Sequence, residues 1–177
     1  MSGIDLELTV PCVEGCTSLS QQFTLEPALP NGNDIKWPTK LGGNVVDSLS
    51  VKFASGDDAL EQEQYAEFIV VIPESFEGWS FYANGIEMLA AFGNCQYKFI
   101  PTIISPNIVK IKMSKLVSKP KSFYSTELNL ESLSKVTKLT FAEDPLVIDF
   151  RYILEYKSPG PDDGIYMSQD PKLSSRR

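Results

Sequence analysis

The chain has 177 residues, a net charge of -7 and no histidine. Histidine is the usual general base near neutral pH and the commonest metal ligand, so Ser-His-Asp triads and histidine-containing zinc sites are excluded outright. A chain of this length, 42% hydrophobic and 22% charged, buries roughly 70% of its unfolded surface as one domain without needing disulfides. The composition points to a protein that is not an enzyme.

Taken in order, the elements read as mostly β. Ile4, Leu6, Leu8 and Val10 fall on one face of a half-buried strand with period 2. Phe23–Leu25 is a second short strand, closed by Pro27 and Pro30, and the turn residues at 30–34 and Leu41-Gly-Gly-Asn44 follow it. Val45–Phe53 is a further strand, and residues 57–67 form an acidic, glutamine-rich loop or a single helical turn. The continuous apolar run up to Ile72, stopped by Pro73, fits a strand buried on both faces.

Ser80–Phe92 carries the main helix of the chain. Phe81, Ile86, Leu89 and Phe92 keep helical spacing, and Gly93-Asn94 supplies a C-terminal stop. Strands then follow at Tyr97–Ile100, Ile108–Met113, Val136–Phe141 and Leu146–Tyr156, the last rich in β-branched and aromatic residues. Glu127–Leu133 suits strand or helix. The expected fold class is α+β and β-dominated, a twisted antiparallel sheet or sandwich with one main helix near 80–92. Residues 1–157 form the globular domain, and 158–177 read as a flexible tail.

Several residue groups invite a chemical reading. Cys12 and Cys16 form a Cys-x3-Cys pair with Cys95 as the only further cysteine; zinc needs a fourth ligand, and the pair is read as two small buried or half-buried side chains. Ser132-Leu-Ser-Lys135 matches the Ser-x-x-Lys of some hydrolases, but the companion Ser-Asp-Asn and Lys-Thr-Gly elements are missing. Asp57, Asp58, Glu61 and Glu63 lack EF-hand spacing and read as a solvated loop. No glycine-rich phosphate loop occurs. No catalytic residue, cofactor or metal is therefore expected. The amino terminus lacks a signal-peptide pattern, no ~20-residue apolar span is present, and three cysteines fit a reducing compartment.

Charge is divided unevenly. Residues 1–107 hold 4 Lys/Arg against 14 Asp/Glu, whereas residues 108–177 hold 12 against 9. Between Glu87 and Glu127 stand Lys98, Lys110, Lys112, Lys115, Lys119 and Lys121 with no acid among them. On a strand over 108–113, Lys110 and Lys112 point to one side and Val109, Ile111 and Met113 to the other. Such a strip suits phosphates of lipid headgroups or RNA, at about 1 kcal/mol per lysine near an anionic membrane. The competing reading is a solvated strand face whose lysines deter aggregation. Acidic and basic parts on one molecule also suit head-to-tail self-association.

Tyr82-Ala-Asn-Gly-Ile-Glu-Met-Leu-Ala-Ala-Phe-Gly-Asn94 is similar to the helix ending in a Leu/Phe-Gly turn in rhabdoviral matrix proteins. The chain resembles the small matrix proteins of plant cytorhabdoviruses across residues 5–156. It departs from them in an acidic amino terminus and in lacking Pro-Pro-x-Tyr and Pro-Thr-Ala-Pro budding motifs. The resemblance implies a structural protein of the virion and of host cytoplasm or endomembrane, peripheral to the membrane. It would bind itself, the viral nucleoprotein or nucleocapsid, the glycoprotein tail, anionic membrane and RNA without sequence preference. The alternatives are a β-rich capsid or shell protein and a cellular β-sandwich interaction module.

Overall fold

The computed structural model describes residues 3–31, 37–54, 64–92, 97–115, 123–127, 135–139, 146–168 and 172–176. Among these residues there are thirteen strands and no helix. Eleven strands form one hydrogen-bonded sheet that doubles over into two layers. One layer runs β3 (Thr39–Leu41), β2 (Ser18–Leu25), β5 (Gln64–Val71), β8 (Ile108–Lys115) and β7 (Tyr97–Ser105). The other holds β1 (Ile4–Val10), β4 (Asn44–Phe53), β13 (Lys172–Arg176), β11 (Leu146–Tyr156) and β6 (Trp79–Phe92), with β12 (Gly164–Met167) beside β11. The β3–β4 hairpin joins the layers through Gly42 and Gly43, whose φ values of 56° and 87° suit a two-residue turn that a Cβ would disfavour. A separate hairpin pairs β9 (Phe123–Glu127) with β10 (Lys135–Leu139).

Alternation builds the core. Phe23, Ala66, Phe68, Val70, Val109, Ile111 and Met113 point in from the first layer and meet Val51, Phe53, Phe81, Phe150, Tyr152 and Leu154 from the second. Each such large side chain contributes about 1.5–3 kcal/mol by leaving water. Phe99 on β7 reaches across to Phe150 on β11, with ring centroids 6.0 Å apart. At one end Trp79 packs on Trp37, Tyr156 and Tyr166, at 5.6, 4.7 and 5.5 Å.

The expected helix over 80–92 is strand β6, paired antiparallel with β11 along its length. The reason lies in its middle. Leu154 pairs with Phe81 and Tyr152 with Ile86, so β6 spends five residues where β11 spends two. Ala83 (φ 53°) and Gly85 (φ 77°) turn the extra residues out of the ladder. Phe81 and Ile86 both face the core, and the odd spacing of five residues between them breaks the two-residue period by which a strand is recognised. The fold among the described residues is therefore all-β, not α+β.

Two other expectations change. The run ending at Ile72 is not buried on both faces: in β5, Gln64, Ala66, Phe68 and Val70 are buried while Tyr65, Glu67, Ile69 and Val71 are half-exposed. The stretch 158–177, expected as a tail, supplies β12 and β13. Ser168 ties it down, its N–H donating to Tyr152 O at 3.0 Å and its Oγ accepting from Tyr152 N–H at 2.9 Å.

Candidate functional site

Strand β8 alternates as its sequence demands, with Val109, Ile111 and Met113 buried and Lys110 and Lys112 half-exposed on the outer face. Its neighbours decide what those lysines meet. On the β5 side, Lys110 Nζ lies 3.3 Å from Glu67 Oε1, and Lys112 Nζ stands 4.0 Å from the Tyr65 ring centroid. Both contacts run diagonally, since the register sets Ile69 opposite Lys110 and Glu67 opposite Lys112. At this exposure the ion pair is worth about 0–1 kcal/mol and the cation–π contact about 0.5–1 kcal/mol. They orient the lysines and leave them near water.

On the β7 side, Lys98 lies opposite Ser114, Ile100 opposite Lys112 and Thr102 opposite Lys110. Lys98 and Thr102 are exposed, as are Ile100 at 45% and Ile104 at 55%. The outer face of β7 and β8 thus joins three lysines to exposed isoleucines, with Glu67 as the adjacent acid. Charge alone does not reveal the isoleucines; the alternation Lys98-x-Ile100-x-Thr102 carries that signal.

The six-lysine strip is not one surface. Lys115 falls in phase with Val109, Ile111 and Met113, and its Nζ donates to Gln64 Oε1 at 3.3 Å. Gln64 is buried, and its Nε2 donates to Pro11 O at 3.2 Å and Ala54 O at 3.0 Å. Lys115 therefore completes a structural knot and leaves the outward face to Lys98, Lys110 and Lys112. Lys119 and Lys121 lie outside the described residues.

Between the layers is a cavity of about 50 Å³ lined mainly by Phe23, Phe68, Val70, Ile111, Phe150 and Tyr152. Apolar cavities that take up benzene measure about 150 Å³, so this one is too small for a ring-sized ligand. Burial pushes the Tyr152 hydroxyl up to about 12, partly offset by a side-chain hydrogen bond with Thr39.

The remaining candidates do not assemble. Cys12 is half-buried and Cys16 exposed, both as free thiols, on a turn closed by Val13 N–H to Cys16 O at 3.2 Å and Cys16 N–H to Val13 O at 2.9 Å. Among the described residues no three metal-ligating side chains gather. Cys95, Ser132, Asp57, Asp58, Glu61 and Glu63 lie outside the described residues, and Lys135 opens β10. Among the described residues no helix is long and apolar enough to cross a membrane.

Fold and face together define a two-layer β protein with a mixed cationic and apolar outer surface. No protein-family model, no characterised protein and no solved structure matches the chain.

Proposed function

We propose that this protein is a structural, non-catalytic assembly protein of viral matrix type, which self-associates and bridges nucleocapsid to membrane during virion assembly and budding. The observation that carries the reading is the β7–β8 face, where Lys98, Lys110 and Lys112 surround exposed Ile100. Lysines on such a face attract anionic headgroups at about 1 kcal/mol each, and isoleucines gain by leaving water at the acyl boundary. The reading draws on this face and on the charge division, and not on the 82–94 segment, most of which lies in β6.

Flotation with phosphatidylserine vesicles across a salt series tests it. The protein should float at low salt and be released as salt rises, because the attraction is screened. Lys110→Glu with Lys112→Glu should cut binding at least tenfold. A protein that stays unbound at low salt would overturn the membrane role.

A β-sandwich shell protein is the second reading, favoured by the two-layer sheet itself. Such a protein would assemble into closed shells without lipid, visible by negative stain.

A further inference from the structure

We propose that the outer face of the second layer, where β11 and β12 lie beside the β6 bulge, is the contact between two copies of this chain. The copies pack face to face about a two-fold axis with their β11 strands antiparallel. The inference rests on the self-associating reading above and names the surface that would carry it.

The face is apolar at its centre. In β11, Phe150, Tyr152 and Leu154 are buried in the core, so Arg151, Ile153 and Glu155 point outward. Met167 of β12 stands opposite Ile153 and Ile165 opposite Glu155, and both are exposed. On its other flank Ile153 has no register partner, because the β6 bulge passes it. Tyr82 opens that bulge and is exposed beside core-facing Phe81. Met167, Ile153 and Tyr82 thus form an apolar row across the sheet. Ala83 follows with a left-handed φ of 53° at the surface, and strain of this kind gathers at functional surfaces.

Charge identifies the occupant as a second copy. Along the outer side of β11 the order is Arg151, Ile153, Glu155: a cation, an apolar centre and an anion at equal spacing. A two-fold axis across the strands at Ile153 reverses that order. Arg151 of each copy then lies over Glu155 of the other, and the apolar rows meet. Packed sheets keep their strands within about 30° of each other, so this alignment is an ordinary one. Glu87 stands opposite Arg151 in register, and Lys157 Nζ lies 3.1 Å from Glu155 Oε2. Ion pairs this exposed are weak, and an apolar centre with a charged rim is how protein interfaces are organised.

The β7–β8 face belongs to the other layer. Pairing through the second layer therefore leaves Lys98, Lys110 and Lys112 on the two far sides of the dimer. Such a dimer presents a cationic face in each direction, the arrangement that bridging two anionic surfaces requires.

Sedimentation of the full chain over a concentration series tests this, with flotation on phosphatidylserine vesicles alongside. The natural protein should dimerise. Arg151→Glu sets acid against acid across the axis, and Glu155→Arg sets base against base, so each alone should weaken dimerisation by about tenfold or more. Mixed in equal amounts the two variants should recover it, since every facing pair is then a Glu with an Arg. Damage within one chain would not be rescued by mixing. Met167→Lys, which charges the apolar row from another strand, should weaken dimerisation as much. Variants that dimerise like the natural protein would overturn this contact and leave self-association standing, as would single variants that mixing fails to rescue. A natural protein monomeric at every concentration would overturn both. Vesicle binding lost in Met167→Lys with dimerisation kept would assign the face to lipid instead.

Discussion

The β5–β8 and β6–β11 ladders are both long and antiparallel, but they hold the sandwich in different ways. The first has eight consecutive pairs without a register shift, and every second residue of β5 is buried. The second has nine pairs broken by two shifts, with Ala83 and Gly85 in the left-handed region of backbone conformation. A regular ladder distributes its stability over many alternating side chains. A bulged ladder concentrates it on the few residues that make the bulge fit. Mutations in the two should therefore fail for different reasons.

The largest effect belongs to the regular ladder. Phe68→Ala removes a buried ring from the middle of β5, and such truncations cost about 3–5 kcal/mol. Urea denaturation should show that loss as a lower midpoint with an unchanged slope; a loss below about 1 kcal/mol would mean that Phe68 is not a core residue.

Tyr152, on the bulged ladder's β11, gives the next effect, and it depends on pH. Burial pushes its hydroxyl up from the usual tyrosine value of 10.0 to about 12 in the folded chain. Above pH 10 the unfolded chain releases this proton while the folded chain keeps it, so stability falls as pH rises. The contribution is complete below pH 10 and about 2–3 kcal/mol is lost by pH 12. Tyr152→Phe lacks this titration, so the stability of the natural protein relative to the variant should decline by that amount between pH 10 and 12. Parallel pH curves for the two proteins would contradict burial of the hydroxyl.

The smallest effect tests the bulge itself. Gly85 has φ 77°, and a Cβ there would lie 2.9 Å from Ile103 Cδ1 and 3.0 Å from Val109 Cγ2. Gly85→Ala combines left-handed strain of about 1–2 kcal/mol with crowding against the opposite layer. Thermal unfolding should show a destabilisation of about 1–3 kcal/mol. A neutral substitution would mean that β6 does not turn at this residue.

Legibility in the sequence follows the same division. Ile4–Val10 and Leu146–Tyr156 are strands with the bounds their patterns suggest, and Leu41-Gly-Gly-Asn44 is the hairpin turn. The outward turn of Lys110 and Lys112 was likewise readable, since each side chain's face depends only on the period of its own strand. β6 is not legible as a strand because its bulge breaks that period, and the irregular spacing of Phe81, Ile86, Leu89 and Phe92 fits a helix as well as a strand. Ile100 is legible only through its phase: it alternates with Lys98 and Thr102 on the outer face of β7, although an isoleucine in a strand is ordinarily core.

The sequence alone determined the absence of histidine, the acidic and basic halves, and the strands whose alternation is unbroken. These are local properties, carried by composition and by a two-residue repeat. Tertiary structure alone decided that β6 is a strand, that Lys115 turns to Gln64 while Lys98, Lys110 and Lys112 share a face, and that the last strand sits inside a layer. Each of those depends on which distant segments pair and in what register, and no window along the chain contains both partners.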